Sequence, residues 1–221
     1  MTGQITADHL GMTLTIDDLD HENKAYFGYC AKGEFRLQRN PNNGLFRYPP
    51  TTRCPWTGDA EAEWVAVEPK GTVYSYNEVH HAIQPAFKAV APYMLLLVEL
   101  DTQKGQPSEF EGLRVAGNLV TADGEMAPPE MVKQIGIGSR MRMVLKKISD
   151  EIALPMWTLD EDAEQPAKPW RYAQESSSQP VVIVPGRLAG AWAALGRWQV
   201  LMAVPIKLLL TAALMPLAQK P

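Results

Sequence analysis

Leu37-Gln38-Arg39-Asn40-Pro41-Asn42-Asn43-Gly44-Leu45-Phe46-Arg47-Tyr48-Pro49-Pro50-Thr51-Thr52-Arg53-Cys54-Pro55-Trp56-Thr57-Gly58 is the stretch on which the reading of this chain turns. It reads as two tight knuckles joined by a short extended arm. Asn43-Gly44 is a strong tight-turn pair, because Asn tolerates the left-handed backbone a knuckle needs and Gly adopts it without steric cost. Alternation in Phe35-Arg36-Leu37-Gln38-Arg39, with apolar Leu45 and Phe46 on the return, suggests a hairpin.

Two knuckles so joined have the shape of a rubredoxin-like zinc ribbon, in which two C-x-x-C pairs hold one ion in a tetrahedral site. The four ligand positions here hold Asn40, Asn43, Cys54 and Thr57, one thiol where four ligands are needed. Asn and Thr are poor zinc ligands, so these residues predict a ribbon that has lost its metal and a protein without a cofactor. An ordinary β-hairpin with no metal ancestry fits the knuckle chemistry equally well, and the flanking chain decides between the two.

The chain has 221 residues, 46% hydrophobic and 21% charged, the composition of a globular protein. A net charge of −4 argues against a nucleic-acid binder that relies on a basic surface. Two cysteines, Cys30 and Cys54, make no disulfide framework. Met1 to Asp20 contains acids and no apolar signal-peptide core, so the expectation is a cytoplasmic protein.

Residues 1 to about 15 carry no clear period and read as an irregular arm. Asp17-Asp18-Leu19-Asp20 opens a helix with acids in its first turn. Leu19, Tyr26, Phe27 and Cys30 fall near one face, and Gly33 is placed to end it. Cys30 on that face is most simply a small core hydrophobe. Beyond the knuckles, Ala62–Pro69 leads into Gly71–Val79, read together as a long strand. Further strands occupy Tyr93–Leu100, Leu113–Val120, Ser139–Lys147 and Ile152–Thr158, with a short helix over Pro128–Gln134. Five strands with a helix between the third and fourth suit a small closed barrel of the OB type.

The ordered set resembles the DUF35 family of OB-fold proteins with a zinc-ribbon domain. The residues that carry the resemblance are Leu37-Gln38-Arg39, Arg47-Tyr48-Pro49-Pro50, Cys54-Pro55, Gly71-Thr72-Val73-Tyr74-Ser75-Tyr76, His80, Pro85-Ala86-Phe87, Pro92-Tyr93, Val98-Glu99-Leu100, Asn118-Leu119, and Ile137-Gly138 to Val144. They cover roughly residues 17 to 160. The chain departs from the family at Asn40, Asn43 and Thr57, which touches the metal and not the fold. The resemblance implies a small subunit of an acyl-CoA enzyme, with a thiolase-like condensing or cleaving enzyme, an aldolase or a hydratase as partner, and with acyl-CoA itself as a candidate ligand.

The predicted organisation is an N-terminal arm and helix over residues 1–34, a degenerate ribbon over 35–61, an OB barrel over 62–160, a linker over 161–180 and an apolar basic tail over 181–221. The polar run from Asp160 to Gln179, with Pro166, Pro169 and consecutive serines, suggests the linker. The tail contains Arg187, Arg197, Lys207 and Lys220 and no acid. Leu188, Trp192, Leu195 and Met202 form an apolar stripe at helical spacing, and Pro205 separates it from a second apolar piece over Ile206–Leu217. Arg197, Pro205 and Lys207 leave less than the ~18 uninterrupted apolar residues of a spanning helix. The tail therefore suits the inner membrane surface or a partner protein better than a membrane crossing.

No nucleophile beside a base, no G-x-S-x-G and no phosphate loop stands out, so no catalytic residue is assigned. His80 and His81 are strand neighbours that must face opposite ways, and His80 matches the family position. His9 and His21 lie in the acidic N-terminal part and read as solvated. His80, Arg140 and Arg142 are the candidate ligand-binding residues, weighed against a strand-end histidine and a solvated strand face. Phe46, Tyr48 and Trp56 are the candidate partner anchors, since aromatic residues dominate interface energetics. The expected function is that of a non-catalytic OB-fold subunit of an acyl-CoA-transforming complex. The alternative is an OB-fold nucleic-acid-binding protein, which would need a basic, aromatic-studded barrel face.

Overall fold

A computed structural model describes residues 3–172, which form a mainly β unit. The helical tail expected over 181–221 lies outside the described residues. The chain opens with a hairpin, not an irregular arm: β1 (Ile5–His9) pairs with β2 (Met12–Ile16). Its turn, Leu10-Gly11, has positive φ at both positions, 53° and 76°. That geometry normally selects Asn or Asp before the Gly, and leucine there hides the hairpin from a sequence reading. Ala7 and Ile16 turn inward onto Ile152.

Helix α1 (His21–Ala31) starts one turn later than Asp17 suggests. Asp20 is the residue that caps it, its carboxylate accepting from the Asn23 N–H at 3.2 Å and the Asn23 amide at 2.8 Å. At the far end Gly33 has φ 80°. The Gly33 N–H donates to Cys30 O at 2.9 Å and the Glu34 N–H to Tyr29 O at 3.0 Å, a Schellman closure. Tyr26 and Cys30 are buried, whereas Leu19 lies outside the helix and is exposed.

The knuckle region builds a three-stranded sheet in the order β4 (Phe46–Arg47), β3 (Arg36–Arg39), β5 (Glu63–Ala66). β5 pairs with β3 through Arg36–Ala66 to Arg39–Glu63. The expected continuous strand across 62–79 is thus two strands in two sheets, and the boundary between ribbon and barrel lies near residue 68. Arg47 is buried, its guanidinium donating to Gln38 Oε1 and Thr51 O, both at 2.9 Å. It ties both hairpin strands to the arm that carries the second knuckle.

The barrel uses β6 (Lys70–Val79), β7 (Tyr93–Leu100), β8 (Arg114–Asn118), β9 (Arg140–Lys147) and β10 (Ala153–Leu159), in the order β10-β9-β6-β7-β8. A parallel bridge between Leu119 and Trp157 closes the ends of that order, with the Val120 N–H donating to Trp157 O at 2.8 Å. Antiparallel strands closed by one parallel contact between the third and fifth form the OB barrel. At the seam Gly117 is required, because a Cβ there would lie 2.9 Å from Pro155 O. Alternation on β7 sends Met94, Leu96, Val98 and Leu100 inward, where they meet Val73, Val115, Met141 and fully buried Trp157. Val132 of α2 (Pro129–Gln134) joins this core between the third and fourth barrel strands.

Residues 161–172 pack on the barrel and do not form a free linker. Gln165 accepts from the Arg140 N–H at 2.9 Å and donates to Asp160 O at 2.8 Å. Ile137 and Trp170 exchange backbone bonds at 2.9 and 3.0 Å. Arg171 reaches Glu78 at 2.5 Å and the Val132 and Ile135 carbonyls, and the Tyr172 N–H donates to Tyr76 Oη at 2.8 Å. Polar composition suggests solvent, but each of these polar groups has a partner on the barrel.

Candidate functional site

The two knuckles repeat one backbone geometry. The Asn40 N–H donates to Leu45 O at 2.9 Å and the Gly44 N–H to Asn40 O at 2.9 Å. In the second knuckle the Cys54 N–H donates to Asp59 O at 2.7 Å and the Gly58 N–H to Cys54 O at 2.9 Å. Gly44 and Gly58 have φ of 74° and 76°. Asn40 thus corresponds to Cys54, Asn43 to Thr57, and Gly44 to Gly58.

Hydrogen bonds link the knuckles where a ribbon would place its metal. The Asn40 amide, wholly buried, donates to Thr57 Oγ1 at 3.0 Å and Asp59 Oδ2 at 3.1 Å. Thr57 donates to the same Asp59 oxygen at 2.8 Å, and the Asn42 N–H reaches Asn40 Oδ1 at 2.8 Å. Burial pushes the buried Cys54 thiol up, but bonds from the Thr57 and Asn40 side chains and the Trp56 and Thr57 backbone outweigh it and bring it down to about 7. Asn43 stands apart, its side chain accepting from the Leu45 N–H at 2.9 Å in an exposed turn. This donor set does not fit zinc. It offers one thiol, and the Asn40 amide nitrogen and Asp59 carboxylate already satisfy each other. Asp59 was missed by sequence reasoning because it falls just past the C-x-x-T-G spacing.

The three candidate anchors differ in accessibility. Trp56 is exposed on the second knuckle. Phe46 and Tyr48 are partly buried against the core; the Tyr48 ring lies 5.9 Å from that of Tyr26, and Gln103 accepts from the Phe46 N–H at 2.7 Å. Tyr48 and Phe46 thus join ribbon to helix and barrel, and Trp56 alone of the three is free to be an anchor.

The candidate ligand residues do not converge. His80, just past the end of β6, is exposed and lies 3.2 Å from Glu78, which also pairs with Arg171. Arg140 is engaged by Asp101, through a 2.7 Å bond among others, and by Thr72 at 2.8 Å. Arg142 lies on β9, two residues along, and is half-buried. Other cations are also paired: Arg114 with Glu99, Lys146 with Glu125, Lys70 with Asp160. His9 is not solvated as expected: burial and neighbouring Lys146 hold its pKa below the usual histidine value.

The outer wall of the barrel has a feature that the sequence reading passed over. On β7 the outward residues include Leu95 and Leu97, at positions usually polar on a solvated sheet face. Cross-strand pairing flanks Leu97 with Ser75 and Ala116, and Leu95 with Asn77 and Asn118. The small side chains leave a depression there. It consists of two hollows of about 240 and 270 Å³ that share Leu95 and Ala116 as a common wall. The first reaches inward to Tyr26, Phe27 and Tyr48 and across to Leu154 and Met156.

Residues 64–146 match the family model described as ChsH2, C-terminal OB-fold domain. The chain carries a DUF35 OB-fold domain. The matched range takes in β5 to β9, so the family match and the barrel topology agree. A curated relative, the "Probable enoyl-CoA hydratase alpha subunit" of Thermomonospora curvata, is 30% identical over 139 residues, 63% of this chain. The chain spans 38% of that relative's length. Among solved structures, one titled "Ltp2-ChsH2(DUF35) aldolase" is 28% identical with a TM-score of 0.49, covering 64% of this chain and 96% of the other. A DUF35-family protein of unknown function from Sulfolobus solfataricus is 11% identical, with a TM-score of 0.38 and coverage of 63% and 86%. Both superpositions are loose, and the DUF35 assignment rests on the family match and the order of the barrel strands.

Proposed function

We propose that this chain is a non-catalytic OB-fold subunit of an acyl-CoA-transforming complex, docking on a hydratase, aldolase or thiolase-like partner that holds the catalytic groups. The observation that carries this reading is the match of residues 64–146 to the ChsH2 C-terminal domain, together with a relative named as a hydratase subunit. The site chemistry is consistent with it. Among the described residues, the histidine paired with a carboxylate, His80, is exposed, and its partner Glu78 is shared with Arg171 and not with a nucleophile. The nucleic-acid alternative is disfavoured by the pairing of Arg114, Arg140, Lys146 and Lys70 with carboxylates, which removes the basic groove that phosphate recognition requires.

The knuckles work without zinc, held by the Asn40–Thr57–Asp59 cluster, and Trp56 on the second knuckle is a docking anchor. Residues 181–221, apolar with four basic residues and no acid, bring the complex to an anionic membrane surface.

The test is co-expression with a candidate acyl-CoA hydratase, aldolase or thiolase-like enzyme, followed by size exclusion and an activity assay. Co-elution and dependence of activity on this chain are expected, with Trp56→Ala weakening the complex by about 1–3 kcal/mol. Separate elution with activity indifferent to this chain overturns the proposal. Salt-sensitive binding to single-stranded nucleic acid in the same preparation moves the assignment to the alternative.

A further inference from the structure

We propose that the open end of the β9 edge, at Leu145 and Lys147, takes up an extended segment of a partner protein as an added strand. The barrel ladder stops short there. Strand β6 pairs with β9 only at residues 140–142, and one further bond runs from the Met143 N–H to Pro69 O at 2.8 Å. The next ladder position would bring Val67 opposite Leu145. Val67 is committed to the other sheet, its N–H donating to Phe35 O at 3.0 Å. On its other side β9 pairs with β10 along its length, down to Lys147 opposite Ala153. Hydrogen-bonded and non-bonded pairs alternate along an antiparallel ladder. Bonds from the Ile148 N–H to Ile152 O at 3.0 Å and from the Asp160 N–H to Arg140 O at 3.1 Å assign the even-numbered residues of β9 to β10. Leu145 accordingly faces Pro155, which has no N–H to give. The N–H and C=O of Leu145 and of Lys147 therefore point to the side that β6 has vacated, and no strand among the described residues pairs with them there.

A hollow of about 470 Å³ lies on that side, lined by Phe35, Ala66, Val67, Pro69, Met143 and Leu145. Cross-strand neighbours share a face, so a residue opposite Leu145 sends its side chain into the hollow. At ~30 Å³ for a group the size of a water, the hollow has room for roughly fifteen such groups, enough for an aromatic side chain. The main-chain groups select a polypeptide as the occupant, because unpaired N–H and C=O groups at strand spacing are a template for another backbone. Charge selects its sequence. Glu34 and Arg36, also in the lining, pair with each other at 2.5 Å. Lys147 is paired at 3.0 Å with exposed Asp150, a surface contact that yields readily to a new partner. A segment running antiparallel to β9 thus carries an acid opposite Lys147 and, two residues on, a bulky apolar residue opposite Leu145. It ends or turns away at Pro69, where the chain's own backbone takes the next place. The choice of a peptide rests on the edge and the hollow, not on the acyl-CoA function.

The experiment follows binding of a fluorescent six-residue peptide to the full chain by anisotropy. The peptide is built on threonine and valine, with glutamate third, phenylalanine fifth and an amidated C-terminus. It is expected to bind saturably, with a Kd below about 1 mM. The same peptide N-methylated at the phenylalanine amide loses the donor to Leu145 O and is expected to bind at least about ten-fold more weakly. Lysine in place of the glutamate is expected to weaken binding about five-fold, and Lys147→Gln to erase that preference. Ala66→Trp fills the hollow from an exposed position on β5 and is expected to lower affinity about ten-fold with an unchanged melting temperature. Lys147→Pro removes an N–H that β10 does not use, and keeps the test valid should the tryptophan disturb the ribbon. No saturable binding, equal binding of the N-methylated peptide, or binding indifferent to both Ala66→Trp and Lys147→Pro overturns the proposal. Concentration-dependent dimerisation of the wild type that Lys147→Pro abolishes also overturns it, and makes the added strand that of a second copy. Peptide binding by a chain that joins no acyl-CoA enzyme sinks the subunit reading and leaves the edge site standing.

Discussion

Replacing Asn40 by alanine tests whether hydrogen bonds hold the knuckles together. Asn40 is wholly buried, and its side chain makes contacts to both knuckles. The bond to Thr57 at 3.0 Å and the one from the Asn42 N–H at 2.8 Å join neutral groups, each contributing about 1 kcal/mol net. The third bond ends on the Asp59 carboxylate at the edge of the knuckle, where solvent screens it and it adds little. The small void left by the amide adds to the loss, so Asn40→Ala should cost about 2–3 kcal/mol, or a fall of roughly 5–10 °C in Tm for a chain of this size. Asn43 occupies the other ligand position of the first knuckle, yet accepts a single bond in an exposed turn. Asn43→Ala should cost less than about 1 kcal/mol. Urea unfolding followed by tryptophan fluorescence, with thermal melts by circular dichroism, measures both, each with added zinc and with chelator. Equal costs for the two variants would refute the reasoning, since it requires the two ligand positions to have diverged. A wild type whose Tm rises with stoichiometric zinc and falls with chelator would refute the metal-free knuckle directly.

The remaining predictions concern charge. Cys54 sits at about 7 in the folded chain against an ordinary thiol value of 9.0, so its stabilising contribution is present at pH above 9 and is lost as pH falls through 7. The difference in unfolding free energy between wild type and Cys54→Ser should therefore grow from pH 7 to 9, and a flat difference would show that the thiol does not ionise there. The bond from Arg140 holds the Asp101 carboxyl below the usual carboxylate range. Arg140→Ala should cost under about 1 kcal/mol at neutral pH, because the pair is partly exposed, and the cost should shrink below about pH 4 as Asp101 protonates. For the tail, the full chain should float with anionic vesicles and not with neutral ones, in a salt-sensitive way, and replacing Arg187, Arg197, Lys207 and Lys220 by Gln should abolish flotation; flotation unchanged by those substitutions would exclude an electrostatic membrane contact.

Local periodicity and turn chemistry are enough to find most of the elements. Alternation places the barrel strands within a residue or two, Asn43-Gly44 and Thr57-Gly58 place both knuckles, and Gly33 places the end of α1, because each signal depends on neighbours a few residues away. The hairpin at residues 5–16 was not legible: its turn uses Leu10 where the favoured residue is Asn or Asp, so its stability comes from Ala7 and Ile16 packing on distant Ile152. Partner strands were not legible either. Glu63–Ala66 has the same alternation whether it continues into β6 or pairs with β3, and the choice is a matter of long-range register. Residues 161–172 read as linker because they are polar, yet polar groups are satisfied equally well by water or by a barrel surface, and here Arg140, Val132 and Tyr76 supply the partners.

The candidate site divides in the same way. One thiol among four ligand positions is visible in the residues, and with it the expectation of a ribbon without zinc. That Asn40 turns inward to Thr57 and Asp59 while Asn43 turns out, that Tyr48 is committed to Tyr26, and that Leu95, Leu97 and Ala116 line up across three strands of the outer wall were decided by tertiary structure alone. Sequence specifies what each side chain can do with its near neighbours; closure of the barrel, which brings β8 against β10 from about forty residues away, decides which groups meet and which remain open to a ligand.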